Sequence, residues 1–153
     1  MSWTTGTLID GWKSNLYVQD AGVTATVGTA DEVPYGTTFS WSTTRTVTAR
    51  GPHINKQALT NSVGGVAYTG SFTIDLHQAI SAARGKIIEA INAGTKLKFT
   101  LVIGGQVGSA TTGVEKYVWD QCICSQDGTV DPATTATYTV NWTADSLTYT
   151  KYA

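Results

Sequence analysis

Few residues of this chain are of types that perform catalysis, and they form no recognisable constellation. The two histidines are His53, in a polar stretch, and His77, at the predicted start of a helix. The eleven acidic residues are scattered, and none forms the paired carboxylates of a glycoside hydrolase, although residues distant in sequence can converge in space. The glycine-rich residues 104–108 follow a strand without a helix after them, so they do not predict a phosphate-binding loop. We predict that the protein is not an enzyme and carries no cofactor.

The two cysteines form the sequence Cys122-Ile123-Cys124 within a predicted strand. In a strand both side chains point to the same face, roughly 6.5–7 Å apart, which is too far for an easy bridge between them. Two interpretations stay open: free, half-buried thiols, or a disulfide to a neighbouring subunit. A metal site is not expected, because no third ligand lies nearby in the sequence.

The composition indicates a globular protein with little charge. The chain has 153 residues, of which 41% are apolar and only 14% are charged. An average soluble domain carries about 25% charged residues. A surface that is polar yet weakly charged does little to repel its own copies, so self-association is favoured. The net charge of -1 argues against a nucleic-acid site that works through a basic patch.

The sequence predicts one domain over residues 1–153 and no membrane segment. Its longest apolar runs are far too short to span a bilayer. Its first residues have neither a basic segment nor an apolar core, so we expect no secretory signal and synthesis into a cytoplasm.

Alternation of apolar and polar residues predicts long strands on either side of one helix. Residues 37–48 carry Phe39, Trp41 and Val47 at odd positions, and residues 66–76 alternate in the same way. The polar residues 49–65 between them predict a long loop. Residues 77–93 predict an amphipathic helix that stops at Gly94, and further strands follow. The predicted fold class is α+β, mainly β: an antiparallel β-sandwich or barrel with one amphipathic helix packed on its flank.

Five tryptophans and seven tyrosines make a carbohydrate-binding β-sandwich module an alternative. Such modules stack sugars on exposed rings. We expect Trp41, Trp119 and Trp142 to be buried, because all three lie on alternating strands. Trp3 and Trp12 lie near the N-terminus and are candidates for interface anchors.

Three stretches together resemble the tail tube proteins of tailed bacteriophages and, more distantly, the tubes of type VI secretion and other contractile injection systems. They are the Thr/Ser-rich strand 37–47 with its following loop, strand 68–76 leading into the helix, and the return strand 97–103 with its glycine-rich turn. These stretches and the closing strands cover most of the chain. The family is defined by its architecture and has no invariant chemical motif.

The resemblance implies a structural virion protein, the major tail tube subunit. Six copies would form a ring whose sheets join edge to edge into a barrel, and rings would stack into a hollow tube in the virion tail. Assembly would take place in the host bacterial cytoplasm. The partners would be further copies, the tape-measure protein, other tail proteins and, in a contractile tail, a sheath, while DNA passes without specific binding. Head-completion and capsid decoration proteins stay open as alternatives.

Self-assembly needs contact surfaces, and the sequence offers strand edges, the 49–65 loop and the N-terminal segment. An edge strand left unpaired is an aggregation hazard unless another chain pairs with it. The candidate subunit-interface residues are Trp3, Trp12, Arg50, His53, Ile54, Lys56, Cys122 and Cys124.

Overall fold

The computed structural model describes residues 14–34, 36–50, 60–76, 81–104 and 114–151. In this part of the chain all strands pair in antiparallel fashion. The elements are β1 (Asn15–Asp20), a 3-10 helix (Thr29–Asp31), β2 (Gly36–Arg50), β3 (Thr60–Asp75), α1 (Ala82–Ala93), β4 (Leu97–Ile103), β5 (Glu115–Thr129), β6 (Thr137–Ala144) and β7 (Ser146–Lys151). The predicted α+β class, mainly β, is confirmed, and the described strands form an open sheet and not a closed barrel.

The sheet has the strand order β1-β4-β5-β6-β3-β2, and β7 pairs with β5. The long strand β5 is shared between two parts of the sheet. Its first half pairs with β4 on one edge and β7 on the other, and its second half pairs with β6. Ile123 is opposite Thr143 and Asp120 is opposite Ser146, so β6 and β7 follow one another along the same edge of β5.

The sheet folds over itself around a core of aromatic side chains. Phe72 of β3 and Phe99 of β4 are separated by β5 and β6 in the strand order, yet their ring centroids are 5.4 Å apart. Phe39 of β2 lies 5.5 Å from Trp119 of β5 in the same measure. Rings on strands that are not neighbours can meet only if the two halves of the sheet face each other. The fold is therefore sandwich-like, with the core between the halves.

One helix packs on the flank of this sheet, as the sequence predicts, but it begins later than predicted. The Ser81 side chain accepts a hydrogen bond from the backbone N–H of Arg84 at 3.1 Å and caps the helix, which starts at Ala82. Residues 77–80 lie outside the described residues. The predicted stop at Gly94 is confirmed, since this residue has a φ of 71°, which glycine adopts without strain. Three residues of the apolar stripe are buried: Ala83, Ile87 and Ala90.

The predicted loop 49–65 is wrong at its two ends, because strand pairing continues into residues 49–50 and 60–65. β2 runs to Arg50 and β3 begins at Thr60, so the two strands form one long hairpin. The glycine pair Gly64-Gly65 does not break the strand. A register shift sets these two residues opposite Thr46, and a bulge of this kind suits glycine. Residues 51–59, which connect the strands, lie outside the described residues.

Candidate assembly surfaces

The outward side of the β5-β6-β3-β2 region is covered by hydroxyl side chains. Their neighbours in sequence point inward, and on β3 and β6 these neighbours include Phe72, Ile74 and Val140, all buried. The outward residues are half-buried or exposed. We call this surface the hydroxyl face, and it comprises Thr38, Ser40, Ser42, Thr69, Ser71, Thr73, Ile123, Ser125, Asp127, Thr139, Asn141 and Thr143.

The hydroxyl face carries one carboxylate and no lysine or arginine. Its side chains bond to one another across strands: the hydroxyls of Thr73 and Thr139 are 3.1 Å apart, and the Asn141 amide donates to Asp127 at 3.3 Å. A shallow groove of about 670 Å³ runs over β3, β6 and β5, the strands that carry these side chains. A surface with these properties has no cationic group that would hold a phosphate backbone.

Two lysines, Lys96 just before β4 and Lys98 within β4, lie away from the hydroxyl face. Lys96 forms an ion pair with Asp145, with 3.3 Å between the amine and carboxylate atoms. Lys98 donates to the backbone carbonyl of Val23 at 2.6 Å. The first amine is thus held at the junction of β6 and β7 and the second just after β1, so neither adds positive charge to the hydroxyl face.

A β-bulge in β5 decides which of its residues join the hydroxyl face. Leu97 pairs with Cys122 but Phe99 pairs with Trp119, so β5 has one extra residue here. Gln121 has a φ of 56° at this point, in the left-handed region. The bulge reverses the alternation: Trp119 and Cys122 are both buried, and Ile123 is 58% exposed. A strict alternation along β5, which would place Trp119, Gln121 and Ile123 on one face, therefore does not hold across the bulge.

Both cysteines lie on the inward side of β5 as free thiols. Cys122 is fully buried and donates to the backbone carbonyl of Trp119 at 3.4 Å. Burial raises the pKa of the Cys122 thiol far above its usual range and raises the pKa of Cys124 to about 12. Neither is a thiolate at neutral pH, and disulfide exchange needs a thiolate. Burial disfavours a bridge from Cys122 to another subunit, and an interface role for Cys124 stays a prediction.

The other predicted interface residues, with the exception of Arg50, are outside the described part of the chain: Trp3, Trp12, His53, Ile54 and Lys56. Arg50 is the last residue of β2, and its backbone is opposite Thr60 of β3.

Two strand edges beside the hydroxyl face have no partner among the described residues. One is the outer edge of β2, which pairs only with β3. The other is the edge of β5 over residues 123–129, on the side away from β6. β5, β6, β3 and β2 alternate in direction, so β5 and β2 run in opposite directions. The β2 edge of a second copy can therefore pair with this β5 edge in antiparallel fashion.

A third surface consists of aromatic rings at the end of the fold where β4 ends and β5 begins. Trp41 is 5.4 Å from Tyr117, and Tyr117 is 5.1 Å from Tyr149, between ring centroids. The hydroxyls of both tyrosines donate to the Glu115 carboxylate, at 3.2 and 3.1 Å. Trp119 and Trp142 are buried as predicted, but Trp41 is 39% exposed, so its predicted burial is wrong. Sequence reasoning missed this cluster, because nothing local shows that β2, β5 and β7 meet.

The rings of this cluster do not form a flat platform for a sugar. The planes of Trp41 and Tyr117 are inclined by 45°, and those of Tyr117 and Tyr149 by 55°. A sugar that stacked on one ring would therefore tilt away from the next. The geometry gives no support to the carbohydrate-binding alternative.

Solved structures similar to this chain match it over nearly its whole length. A chain of the SPP1 tail tube is 13% identical, with a TM-score of 0.68 that covers 95% of this chain and 80% of that chain. The chain has a tail tube-like fold. A chain of the anti-feeding prophage tube-terminating cap shares this tail tube-like fold, with 13% identity, a TM-score of 0.72 and coverage of 99% and 97%.

A third similar structure is the tail of an empty GTA particle, solved with C6 symmetry. Its chain is 10% identical, with a TM-score of 0.58 and coverage of 90% and 96%. At sequence identities this low, the similarity to these structures extends to the tail tube-like fold alone. No protein-family model and no curated protein matches the sequence. Within the described ranges, no helix is long and apolar enough to cross a membrane, and no cluster of acidic, histidine or cysteine side chains could hold a metal ion.

Proposed function

We propose that this chain is the major tail tube subunit of a phage or phage-like particle, a single-domain structural protein without catalytic activity. The observation that carries the proposal is the tail tube-like fold, in which two oppositely directed strand edges beside the hydroxyl face are unpaired among the described residues. The assembly would be made in the host bacterial cytoplasm and would form part of the virion tail.

The strand directions support a ring of identical copies. β5, β6, β3 and β2 form an even number of antiparallel strands, so each copy offers an edge of one direction and an edge of the other. If β2 of each copy pairs with β5 of the next copy, the shared sheet of β5, β6, β3 and β2 is antiparallel throughout. In a closed ring of copies, neither the β2 edge nor the β5 edge is left unpaired. Six copies per ring fit the C6 symmetry of the similar GTA tail.

The hydroxyl face is the side of this sheet that suits the channel. Its residues hydrogen-bond well to water but hold neither a cation nor a large apolar patch. Phosphates bind proteins chiefly through lysine and arginine, so DNA would slide past this wall without specific binding. The helix α1 covers part of the opposite side of the fold and would face outward, toward other tail proteins or a sheath. The tape-measure protein would occupy the channel before DNA does.

A tube terminator is the second candidate, favoured by the match to the tube-terminating cap over almost the whole of both chains. A terminator would make the same ring but would not stack without limit. Negative-stain microscopy of the purified full chain at high concentration separates the possibilities. Long hollow filaments would support the tube subunit, single rings would support the terminator, and a strictly monomeric protein would contradict both.

A further inference from the structure

The two facing halves of the sheet leave two open sides, and α1 closes one of them. One half ends at β1 and β7, and the other ends at β2 and at residues 123–129 of β5. α1 contacts β1 and β5, and its buried residues Ala83, Ile87 and Ala90 are part of the core. The helix therefore fills the gap between β1 and the open edge of β5.

The opposite side, between β2 and β7, has no such cover among the described residues. The Trp41 ring of β2 lies 6.0 Å from the buried Trp119 ring, so it points into the sandwich, yet it is partly exposed. Tyr149 of β7 is also exposed and reaches Trp41 through Tyr117, which contacts both. We call this surface the aromatic end: Trp41, Tyr117 and Tyr149. Apolar exposure that is grouped in this way marks a contact surface, whereas scattered exposed residues do not.

The two flanks of α1 on either side of its buried face differ in character. A helix turns by about 100° per residue, so Lys86 and Ile88 lie on opposite sides of Ile87. Lys86 forms an ion pair with Asp20 at the end of β1, with 3.9 Å between the amine and the carboxylate, so its flank faces β1. Ile88 is half-buried and lies outside the core cluster. An apolar side chain is therefore on the flank that is turned away from β1.

The flank that carries Ile88 lies beside the open edge of β5. Arg84 is on the same flank, four residues before Ile88. Burial raises the pKa of Tyr138 and the Arg84 guanidinium lowers it in part, so these two side chains are near one another. Tyr138 of β6 is opposite Gly128 of β5, where an added Cβ would meet no atom within 4 Å. The flank thus overlooks the edge residues of β5 from the inward side of the sheet.

A second copy of the chain is the occupant that suits this geometry. When β2 of one copy pairs with residues 123–129 of the next, the two strands lie about 4.8 Å apart. Side chains of neighbouring strands on the same face lie side by side. The inward ring of Trp41 would therefore lie next to the inward side of the other copy's β5, which Ile88 of that copy overlooks.

We propose that α1 of each copy closes the open side of a neighbouring copy's sandwich, with Ile88 packed on Trp41. This rests on the proposed pairing of β2 with β5 and adds to it a contact between apolar side chains. Each sandwich is then closed on one side by its own helix and on the other by its neighbour's helix.

This contact has a consequence for the register between copies. Backbone pairing alone specifies the register of two polar strands weakly, and a slip of one residue turns every side chain to the other face. Such a slip would move Trp41 to the channel side and the hydroxyl face to the inside. The contact between Ile88 and Trp41 favours the register in which the hydroxyl face lines the channel.

The test joins the two side chains covalently in the assembled full chain. Ile88→Cys and Trp41→Cys are combined in one chain, and assemblies verified by microscopy are treated with a short bismaleimide. Maleimides react with thiolates, and burial keeps the thiols of Cys122 and Cys124 protonated. Denaturing electrophoresis should show a ladder of covalent oligomers, because each copy is joined to the next around the ring.

The matched control combines Lys86→Cys with Trp41→Cys. Lys86 is on the same helix but on the flank that faces β1, so this pair should give monomers only. Monomers only from the Ile88 pair in well-formed assemblies, or equal ladders from both pairs, would overturn the inference and leave the proposed function standing.

A second comparison keeps Trp41 in place. Ile88→Ser removes the apolar side chain from the flank, so the protein concentration needed for assembly should rise about tenfold. Glu89→Ser changes an exposed residue of the same helix and should leave that concentration unchanged. Light scattering measures assembly, and circular dichroism verifies that both variants are folded. Equal concentrations for the two variants would contradict the inference. An unmodified chain that forms no assembly at all would contradict the proposed function and this inference together.

Discussion

Trp142 of β6 lies directly over Gly70 of β3, the residue opposite it in the sheet. A Cβ atom at Gly70 would overlap the indole ring and the backbone carbonyl of Ser40 on the other side. Gly70 thus leaves the space in which the Trp142 ring packs, and Trp142 in turn contacts Trp119, with 5.0 Å between ring centroids. This packing explains why a glycine lies within the regularly paired part of β3.

Gly70→Ala should lower the free energy of unfolding by about 1–3 kcal/mol, because the added methyl group must displace the Trp142 ring from its position. Urea denaturation followed by tryptophan fluorescence measures this change. Gly128→Ala is the control, since a Cβ at Gly128 would meet no atom within 4 Å. If Gly70→Ala were as stable as Gly128→Ala, the packing relationship between Gly70 and Trp142 would be wrong.

Because Gln121 lies in a β-bulge, a residue type that normally stabilises a strand should destabilise the protein at this position. Gln121 has a positive φ, which costs a β-branched residue more than any other. Gln121→Val should therefore lower the free energy of unfolding by about 1–2 kcal/mol, whereas Gln121→Gly should change it by less than about 1 kcal/mol. Chemical denaturation of both variants provides the comparison. A Val variant more stable than the Gly variant would show that β5 is regular here.

Two adjacent proline substitutions should separate folding from assembly. In an antiparallel ladder the N–H groups of consecutive residues point to opposite edges, so one of Ser125 and Gln126 donates toward β6 and the other toward the open edge. Of Ser125→Pro and Gln126→Pro, one should lower the melting temperature strongly. The other should fold but form no filaments. Circular dichroism and microscopy measure the two effects, and two variants that both fold and both assemble normally would argue against this edge as an interface.

Because its two thiols are buried, the protein should lose stability in alkaline solution. Burial holds the pKa values of Cys122 and Cys124 above the ordinary value of 9.0, so the folded state retains protons that the unfolded chain releases. Their contribution is complete below pH 9 and is lost as the pH rises toward the pKa of about 12 of Cys124. The free energy of unfolding should therefore fall as the pH rises from about 9 toward 12.

The control for this pH dependence is the double variant Cys122→Ala/Cys124→Ala. It has no thiol to titrate, so its free energy of unfolding should be flatter over the same pH interval, although its absolute stability is lower. Burial also raises the pKa of Tyr138 to about 12, but this tyrosine is present in both proteins, so the comparison isolates the effect of the thiols. An equally steep loss in the double variant would assign the effect to other groups.

Much of the fold follows from local sequence patterns. Three features were predictable: strand 97–103, the end of the helix at Gly94, and the residues of β6 that point inward. Each depends on a pattern of only a few neighbouring residues, either apolar–polar alternation or a glycine that ends a helix. The two ends of the predicted loop 49–65 were wrong because pairing with a second strand overrides a weak local signal. Residues 126–128, whose sequence Gln-Asp-Gly is typical of a turn, are likewise part of β5.

The surfaces were less predictable than the elements. The Thr/Ser alternation of β3 already indicated one side of the hydroxyl face. The sequence alone does not show that the bulge at Gln121 changes which residues of β5 point inward. The bulge, and with it the exposure of Ile123, depends on pairing with β4. The aromatic end depends on contacts among β2, β5 and β7, which lie far apart in the chain.

The central claim is that copies of this chain join β2 to β5 into a ring whose hydroxyl face lines a channel. Cryo-electron microscopy of the assembled full chain, at a resolution that separates strands, tests it most directly. We expect a hollow assembly in which residues 123–129 of each copy pair with β2 of the next, with Ser71 and Asn141 facing the channel and α1 outside. An assembly with α1 facing the channel, or with copies joined through other strands, would contradict the account.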